Sequence, residues 1–469
     1  MPAAAARSKP VLLPQYCKGC GRCIEACARH CFVPGTEIDP ATGLVPAILD
    51  LADCSACSLC FDACPEPYAL RPEGAEAATA TDRAEEGARR PEPESKGESR
   101  PDIALDLPET HPLFLKGTHA SAIGALLAGC RHFFGYPITP STEGAELMAR
   151  LLPTLGGTFL QAPSEVAAVN MIFGCGAAGI PAMTFTSSPG FSLMLEGISY
   201  MIGAELPGVF VNVMRAGPGL GNIGPAQADV KLACRGLGHG DTHAVVLAPA
   251  TPQEMLDFTM LAFELSMRYR NPVVVLADGF LGQMTGRVVL PRELVRPGVP
   301  GWAVRGDAAH RRNLVTSILL DERDFEAHDR AIVAKYRRMA AAEQRADAWL
   351  CEDAEVLVVA CNTPARIAKG AVRALRDEGV RAGLFRPQTV WPFPIDALVP
   401  LVAGEAGRRI VVAEASDGQL EDELRLALSH AGAGSGVAIT HVRRMGGLLP
   451  THAEIVETVR AAAGKGARA

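Results

Sequence analysis

Two runs of cysteines at one spacing limit what this chain can fold into more than any other feature. Cys17, Cys20, Cys23 and Cys27 read C-x2-C-x2-C-x3-C, and Cys54, Cys57, Cys60 and Cys64 repeat it, with Pro65 behind the last. Three thiolates from one tight loop and a fourth from elsewhere suit an iron–sulfur cube. The competing reading is a pair of zinc sites, which usually take C-x2-C pairs set further apart. Fourteen cysteines in a short secreted chain would imply disulfides; clustered like this in 469 residues, they imply metal.

Residues 10–72 resemble bacterial two-cluster ferredoxins. The resemblance implies that the fourth cysteine of each run crosses to the other cluster. It puts Cys17, Cys20, Cys23 and Cys64 on one [4Fe–4S] cluster, and Cys54, Cys57, Cys60 and Cys27 on the other. Ala28 stands where the motif has a proline, which predicts a slightly altered loop. Cys31 is extra to the pattern and reads as a packed thiol. Between the runs, TEIDPATGLVPAI reads as a hairpin, with Asp39-Pro40 and Thr42-Gly43 as turn signals. Two clusters in one small module mean electron transfer. We read the module as residues 1–72.

Residues 73–110 are rich in Ala, Glu, Arg, Pro, Ser and Gly and read as a flexible linker. The net charge of −7 gives no basic signature for nucleic acid. No run of about 18 apolar residues escapes Gly, Pro or charge, so no membrane span is expected. MPAAAARSKP lacks an apolar signal-peptide core, and the expected location is the cytoplasm.

Strand and helix patterns alternate from 111 to 290, with strands expected at 158–161, 182–187, 209–214, 244–247 and 273–277. Helices are expected at 120–128, 143–152, 165–174, 191–202 and 252–269. Such alternation predicts a parallel sheet covered by helices, with ligands at the carboxyl ends of the strands. The stretches at those ends are GYPITPST at 135–142, residues 161–165, 186–190 and 215–221. GYPITPST is a strand–loop–helix unit whose hydroxyls and N–H groups suit an anion. Gly219-x-Gly221-x-x-Gly224 matches a dinucleotide fingerprint formally, but Pro225 intervenes and no helix opens behind it.

GYPITPST, QAPSEVAAVNM, TSSPGFSLMLEGISYM, VNVMRAGPGLGN and NPVVVLADG, in this order, resemble the α subunit of 2-oxoacid:ferredoxin oxidoreductases. That family uses thiamine diphosphate to decarboxylate a 2-oxoacid oxidatively with coenzyme A, yielding acyl-CoA, CO2 and electrons for ferredoxin. The wording of SEVAAVNM, EGISYMIGAELP and RAGPGLGNIGPAQAD is nearest the branched-chain (2-ketoisovalerate) type, with the 2-oxoglutarate type close behind. The resemblance makes Glu165 the glutamate that hydrogen-bonds the cofactor's pyrimidine N1′, with Pro137 and Ile138 beside the cofactor. It makes Arg215 and Thr139 the partners of the substrate carboxylate. Read without it, Glu165 is an acid in the first turn of a helix, Arg215 a loop arginine and Thr139 a turn residue. Pro189-Gly190 is expected as a tight loop near the cofactor.

Thiamine enzymes hold the diphosphate through Mg2+ on a Gly-Asp-Gly motif with a downstream Asn. Ala277-Asp278-Gly279 lacks the first glycine and a suitable Asn. In the resembling family that motif lies on a separate β subunit. The resemblance therefore implies a site shared between chains, with the β subunit as partner, a γ subunit as a further candidate, and ferredoxin or a similar acceptor taking the electrons.

Residues 291–350 read as a charged, helical connector, helical above all at 327–350. From 351 to 469 a second βαβ pattern carries LFRPQTVWPFP, VAEASDGQLEDELRLAL and RRMGGLLPTHAEI, which resemble the transketolase C-terminal-like domain of the same family; Ser416-Asp417 stand where it usually has Asn-Asn. The expected fold is α/β: a pyrimidine-type thiamine diphosphate domain at 111–290, then a transketolase C-terminal-like domain, preceded by a small α+β ferredoxin domain. Three other readings stand beside this one. They are an aryl-glyoxylate or indolepyruvate oxidoreductase subunit, an electron-transfer protein with a non-catalytic α/β scaffold, and a lipoamide-dependent dehydrogenase, which needs no iron–sulfur module.

Overall fold

Central strands that are apolar along most of their length must be covered on both faces, and two here are. Gly208–Met214 and Pro272–Asp278 are buried at every position and pair in parallel over seven residues. The computed structural model of the chain describes residues 8–40, 43–66, 69–73, 99–403 and 409–464. The chain divides into two units, Met1–Pro91 and Glu92–Ala469.

In the first unit the two cysteine runs adopt the same local form. Each wraps through a loop into a five-residue helix, Arg22–Ala26 and Leu59–Ala63. The residues flanking the middle cysteine are left-handed in both: Gly19 and Gly21 around Cys20, Ala56 and Ser58 around Cys57. Glycine takes that conformation freely, whereas Ala56 and Ser58 take it at about 1–2 kcal/mol each. Two short antiparallel pairs close the unit, Pro10–Leu12 with Leu70–Pro72 and Phe32–Val33 with Ile48–Leu49. The expected hairpin is closed at Asp39, whose N–H donates to Leu44 and whose carbonyl accepts from Gly43. Its Thr42 turn position lies outside the described residues.

The second unit holds a seven-stranded sheet in the order Thr389–Trp391, Val245–Leu247, Pro272–Asp278, Gly208–Met214, Ala182–Thr186, His132–Gly135, Thr158–Gln161. All neighbours are parallel except the first pair. Thr389–Trp391 is supplied by the C-terminal part of the chain and was not expected as a strand. A five-stranded sheet follows, ordered Ala346–Trp349, Ala382–Pro387, Val356–Val359, Arg409–Glu414, Ala438–Arg443. One continuous core reaches from Phe133 and Phe185 to Leu357 and Phe385, so the two sheets share their packing.

Two expected boundaries are corrected. Ile103–Asp106, placed within the linker, pairs antiparallel with Glu293–Arg296. Residues 74–98 of that linker lie outside the described residues. The connector at 291–350 is only partly helical: its helix is Glu322–Ala342, capped by Asp321, which accepts from Arg323 and Asp324 N–H. The end of the expected helix is instead the strand Ala346–Trp349, antiparallel to Ala382–Pro387. The charged composition of 291–350 hid both strands, because each is short and antiparallel and alternates too little to show a period.

Candidate thiamine site and cysteine module

The parallel strands end in register, and their carboxyl ends carry the expected residues. Gly135 opens onto Tyr136-Pro137-Ile138-Thr139, with Pro137 and Thr139 exposed and Ile138 half-buried. Ser141 sends both its N–H and its hydroxyl to the Ile138 carbonyl, at 3.0 and 2.8 Å. Ser141 therefore closes the turn and does not cap the helix Thr142–Leu151 with its side chain. Next along the edge, Ala162 N–H donates to the Gly135 carbonyl at 2.9 Å. Ser164 then caps the helix Glu165–Ala177 by accepting from Ala167 N–H, which makes Glu165 its first residue.

Glu165 is 5% exposed. Gly190 lies directly against it: a Cβ on Gly190 would stand 2.4 Å from Glu165 Oε1 and 2.4 Å from Thr186 Oγ1. Thr186 Oγ1 and the neighbouring Ser187 Oγ are buried with no hydrogen-bond partner. Among the described residues none donates to the Glu165 carboxylate. Pro189-Gly190, expected as a loop, is the first turn of the helix Ser188–Gly203.

Arg215 is also buried, and its guanidinium forks between two carbonyls, Nη1 to Thr139 at 2.9 Å and Nη2 to Leu220 at 3.1 Å. Its Nε has no partner. Ser188 Oγ accepts from Arg215 N–H at 3.0 Å and donates to Asp229 Oδ2 at 2.5 Å. Asn212 Nδ2 donates to the same oxygen at 2.9 Å. Burial pushes the Asp229 carboxyl above its ordinary range, against the pull of Ser188 and Asn212. Glu165, Gly190, Ser188, Arg215 and Thr139 thus form one contiguous line of contacts. Asn212 and Asp229 belong to that line and were missed, because nothing in a sequence marks which polar residues near strand ends are buried; Thr186, which opens the expected 186–190 stretch, belongs to it too.

Glycines 219 to 224 make no dinucleotide loop. A Cβ on Gly221 would fall 1.8 Å from the Ala216 carbonyl oxygen, so the loop folds on itself. Asn222 Nδ2 donates to Gly446 at 2.8 Å, fixing the loop to the C-terminal part.

Asp278 has no capacity left for a metal ion. Its Oδ1 accepts from Phe280 N–H, Leu281 N–H and the Thr363 hydroxyl, and its Oδ2 accepts from Thr363 N–H. Burial holds this carboxyl above its usual range, while those donors pull it down. The second unit therefore carries a buried glutamate with Gly190 close against it, and its one Asp-Gly pair of the expected kind is engaged within the fold.

In the cysteine module, Cys17, Cys20, Cys23 and Cys64 line one small enclosed space. Burial first, then the neighbouring Cys17, Cys64 and Cys20, push the Cys23 thiol up to about 11. Burial also raises Cys60, with Cys57 and Cys54 adding to it. The thiols thus gather as one group with a member from the other run and a second group around Cys54, Cys57 and Cys60. Among the described residues no three His, Cys, Asp or Glu side chains are spaced to hold a single metal ion.

Buried polar side chains at the carboxyl ends of a parallel sheet are the usual place for a ligand in an α/β enzyme. The family described as pyruvate flavodoxin/ferredoxin oxidoreductase, thiamine diphosphate-binding, matches residues 123–347. Pyruvate:ferredoxin oxidoreductase core domain II matches residues 354–455. The chain is 46% identical over 353 residues to the ketoisovalerate oxidoreductase subunit VorB of Methanothermobacter thermautotrophicus, covering 75% of this chain and 97% of that one. It is 37% identical over 339 residues to the 2-oxoglutarate synthase subunit KorA of Methanocaldococcus jannaschii, covering 66% of this chain and 90% of that one. Among solved structures it is similar to 2-oxoglutarate:ferredoxin oxidoreductase from Magnetococcus marinus with 2-oxoglutarate, coenzyme A and succinyl-CoA bound. The TM-score is 0.67 at 25% identity, over 75% of this chain and 65% of that one. The chain belongs to the 2-oxoacid:ferredoxin oxidoreductase family, as a subunit of an enzyme. Neither family region reaches the cysteine module. Among the described residues no helix is long and apolar enough to cross a membrane.

Proposed function

We propose that this chain is the α subunit of a CoA-acylating 2-oxoacid:ferredoxin oxidoreductase, and that its substrate is 3-methyl-2-oxobutanoate, ahead of 2-oxoglutarate. The single observation that carries the reading is the buried Glu165 carboxylate, without a donor of its own and roofed by a residue with no side chain. The Thr186 and Ser187 hydroxyls beside it are buried without partners, and a buried polar group left open costs about 1–3 kcal/mol, which supports a ligand bound there. The pyrimidine of thiamine diphosphate is such a ligand, and the unpartnered Thr186 hydroxyl fits the same ring. Bound there, thiamine diphosphate supplies an electron sink for decarboxylation.

This chain's residues position the ring and the substrate. Glu165 accepts from the pyrimidine, and Pro137 and Ile138 border it. Arg215 carries the charge for the 2-oxoacid carboxylate, and Thr139, whose carbonyl holds the guanidinium in place, lies beside it. The diphosphate and its Mg2+ fall to a β subunit with a Gly-Asp-Gly motif, because Asp278 is used up within the fold. A γ subunit is compatible with this assembly. The stronger likeness to the ketoisovalerate subunit supports the branched-chain substrate.

The cysteine module holds two [4Fe–4S] clusters that pass electrons to ferredoxin or a similar acceptor. The grouping of Cys64 with Cys17, Cys20 and Cys23 supports crossed ligation, with Cys27 joining Cys54, Cys57 and Cys60. Co-expression with the Gly-Asp-Gly partner is expected to give viologen reduction that requires both a 2-oxoacid and coenzyme A. Absence of that activity with every 2-oxoacid in a panel would overturn the reading.

A further inference from the structure

Residues 215–229 turn back on themselves, so Arg215 and Gln227 stand on the two sides of one loop. Arg215 and Pro225 form an antiparallel bridge, and Ala216 N–H donates to the Gly224 carbonyl at 3.2 Å. The outgoing side carries the guanidinium proposed for the 2-oxoacid carboxylate. The returning side carries Gln227, which is fully buried and has no part in the function proposed above. Two residues on, Asp229 takes the Ser188 hydroxyl, and that hydroxyl accepts from Arg215 N–H.

Gln227 reaches across to the five-stranded sheet. Its N–H donates to the Ala415 carbonyl at 2.9 Å, and its Oε1 accepts from Ala415 N–H at 2.8 Å. Its Nε2 donates to the Cys361 carbonyl at 3.2 Å and to Asn362 Oδ1 at 3.1 Å. Cys361 and Ala415 lie just past the carboxyl ends of Val356–Val359 and Arg409–Glu414, which pair in parallel. From Val356–Val359 the chain passes first to Ala382–Pro387 on one side, then to Arg409–Glu414 on the other. The crevice at such a reversal of strand order is where an open α/β sheet takes a ligand. Here the amide of Gln227 fills it. Gln419 adds a second hold on the same side of the loop: its Nε2 donates to the Ala228 carbonyl at 2.8 Å, and its Oε1 accepts from Lys231 N–H at 2.9 Å.

We propose that Gln227 is a positioning residue for the 2-oxoacid: seated in the crevice of the second sheet, it fixes the loop that aims the Arg215 guanidinium and so sets the affinity for the substrate carboxylate. The inference rests on the role proposed for Arg215 above. A guanidinium recognises a carboxylate through a planar fork, so its direction matters as well as its charge. One of the two carbonyls that aim this fork, Leu220, belongs to the loop itself. The C-terminal sheet thus serves substrate binding without touching the substrate.

The test is a double-mutant cycle in the complex with the Gly-Asp-Gly partner: wild type, Gln227→Ala, Arg215→Lys and the two together. Melting temperature checks that each is folded. Gln227→Ala is expected to raise the KM for 3-methyl-2-oxobutanoate about tenfold, while the KM for coenzyme A stays. Added to Arg215→Lys, which has already lost the fork, it is expected to raise that KM by less than about threefold, because the two act through one contact. A further rise of about tenfold, the additive result for independent sites, would overturn the proposal. An equal rise for coenzyme A would overturn it too, by making Gln227 a general fastener. Should Gln227→Ala fail to fold, Gln227→Met, which fills the crevice without the hydrogen bonds, carries the same cycle. A wild-type complex that turns over no 2-oxoacid would remove the role of Arg215 itself, whereas additive effects in an active enzyme remove only that of Gln227.

Discussion

Thr363 closes both oxygens of Asp278: its hydroxyl donates to Oδ1 and its backbone N–H to Oδ2, each at 2.8 Å. The two residues stand 85 positions apart, at the end of Pro272–Asp278 and in the first turn of Asn362–Asp377. The one aspartate that resembles a thiamine metal ligand is thus a fastener between the two sheets.

Asp278→Asn replaces an acceptor by an N–H group facing Thr363 N–H. We expect about 2–4 kcal/mol of destabilisation from the donor left buried without a partner. Thermal unfolding measures it, and the Mg2+ concentration needed for half-activity of the folded complex should not change. A large rise in that concentration would make Asp278 a metal ligand after all.

Gly190→Ala tests the fit over Glu165. The methyl group would arrive 2.4 Å from Glu165 Oε1, so the carboxylate must move. Overpacking of this kind costs about 1–3 kcal/mol of stability. Thiamine diphosphate affinity of the complex, followed by calorimetry, is expected to fall at least about tenfold, or 1.4 kcal/mol. Unchanged affinity would separate Gly190 from the cofactor.

Arg215→Lys keeps the charge and loses the fork that spans the Thr139 and Leu220 carbonyls. The KM for the 2-oxoacid should rise by about tenfold or more, equivalent to 1.4 kcal/mol, while the KM for coenzyme A stays. Equal rises in both would point to a collapsed loop.

Acid should loosen the second unit through His243. This ring stacks on Trp391 at 4.5 Å, and its Nδ1 lies 3.2 Å from the Cys234 carbonyl oxygen. Burial lowers its pKa below the ordinary 6.5, outweighing the Cys234 contact. The unfolded chain therefore takes the proton first as pH falls. The stabilisation is present above about 6.5 and is lost as pH drops from there through the folded value. The melting temperature should fall more steeply between pH 7 and 5 in the wild type than in His243→Phe. Parallel curves would show that His243 carries none of the slope.

The parallel strands were legible because burial on both faces leaves a mostly apolar run, as in GVFVNVM and PVVVLAD, where only Asn212 and Asp278 are polar. Pro252–Tyr269 was legible to the residue, with Thr251 as its cap and Pro252 at its first position. The strands at Ile103–Asp106, Ala346–Trp349 and Thr389–Trp391 were not. Each is three or four residues long and exists because a distant partner is there to pair. At the site, Glu165, Arg215 and Thr139 stood out only through the motifs around them. What joins them, the Gly190 contact and the hydrogen bonds of Arg215 to Ser188 and Thr139, depends on which helix face meets which strand end, and no local pattern encodes that.

The most direct test of the account is Glu165→Gln in the assembled complex. It keeps size and polarity and removes the charge that would accept from the pyrimidine. Dye reduction with 3-methyl-2-oxobutanoate and coenzyme A is expected to drop by about 100-fold or more, as loss of a positioned acid–base partner does. Iron content and melting temperature should match the wild type. Wild-type turnover in this variant would contradict the placing of thiamine diphosphate at Glu165.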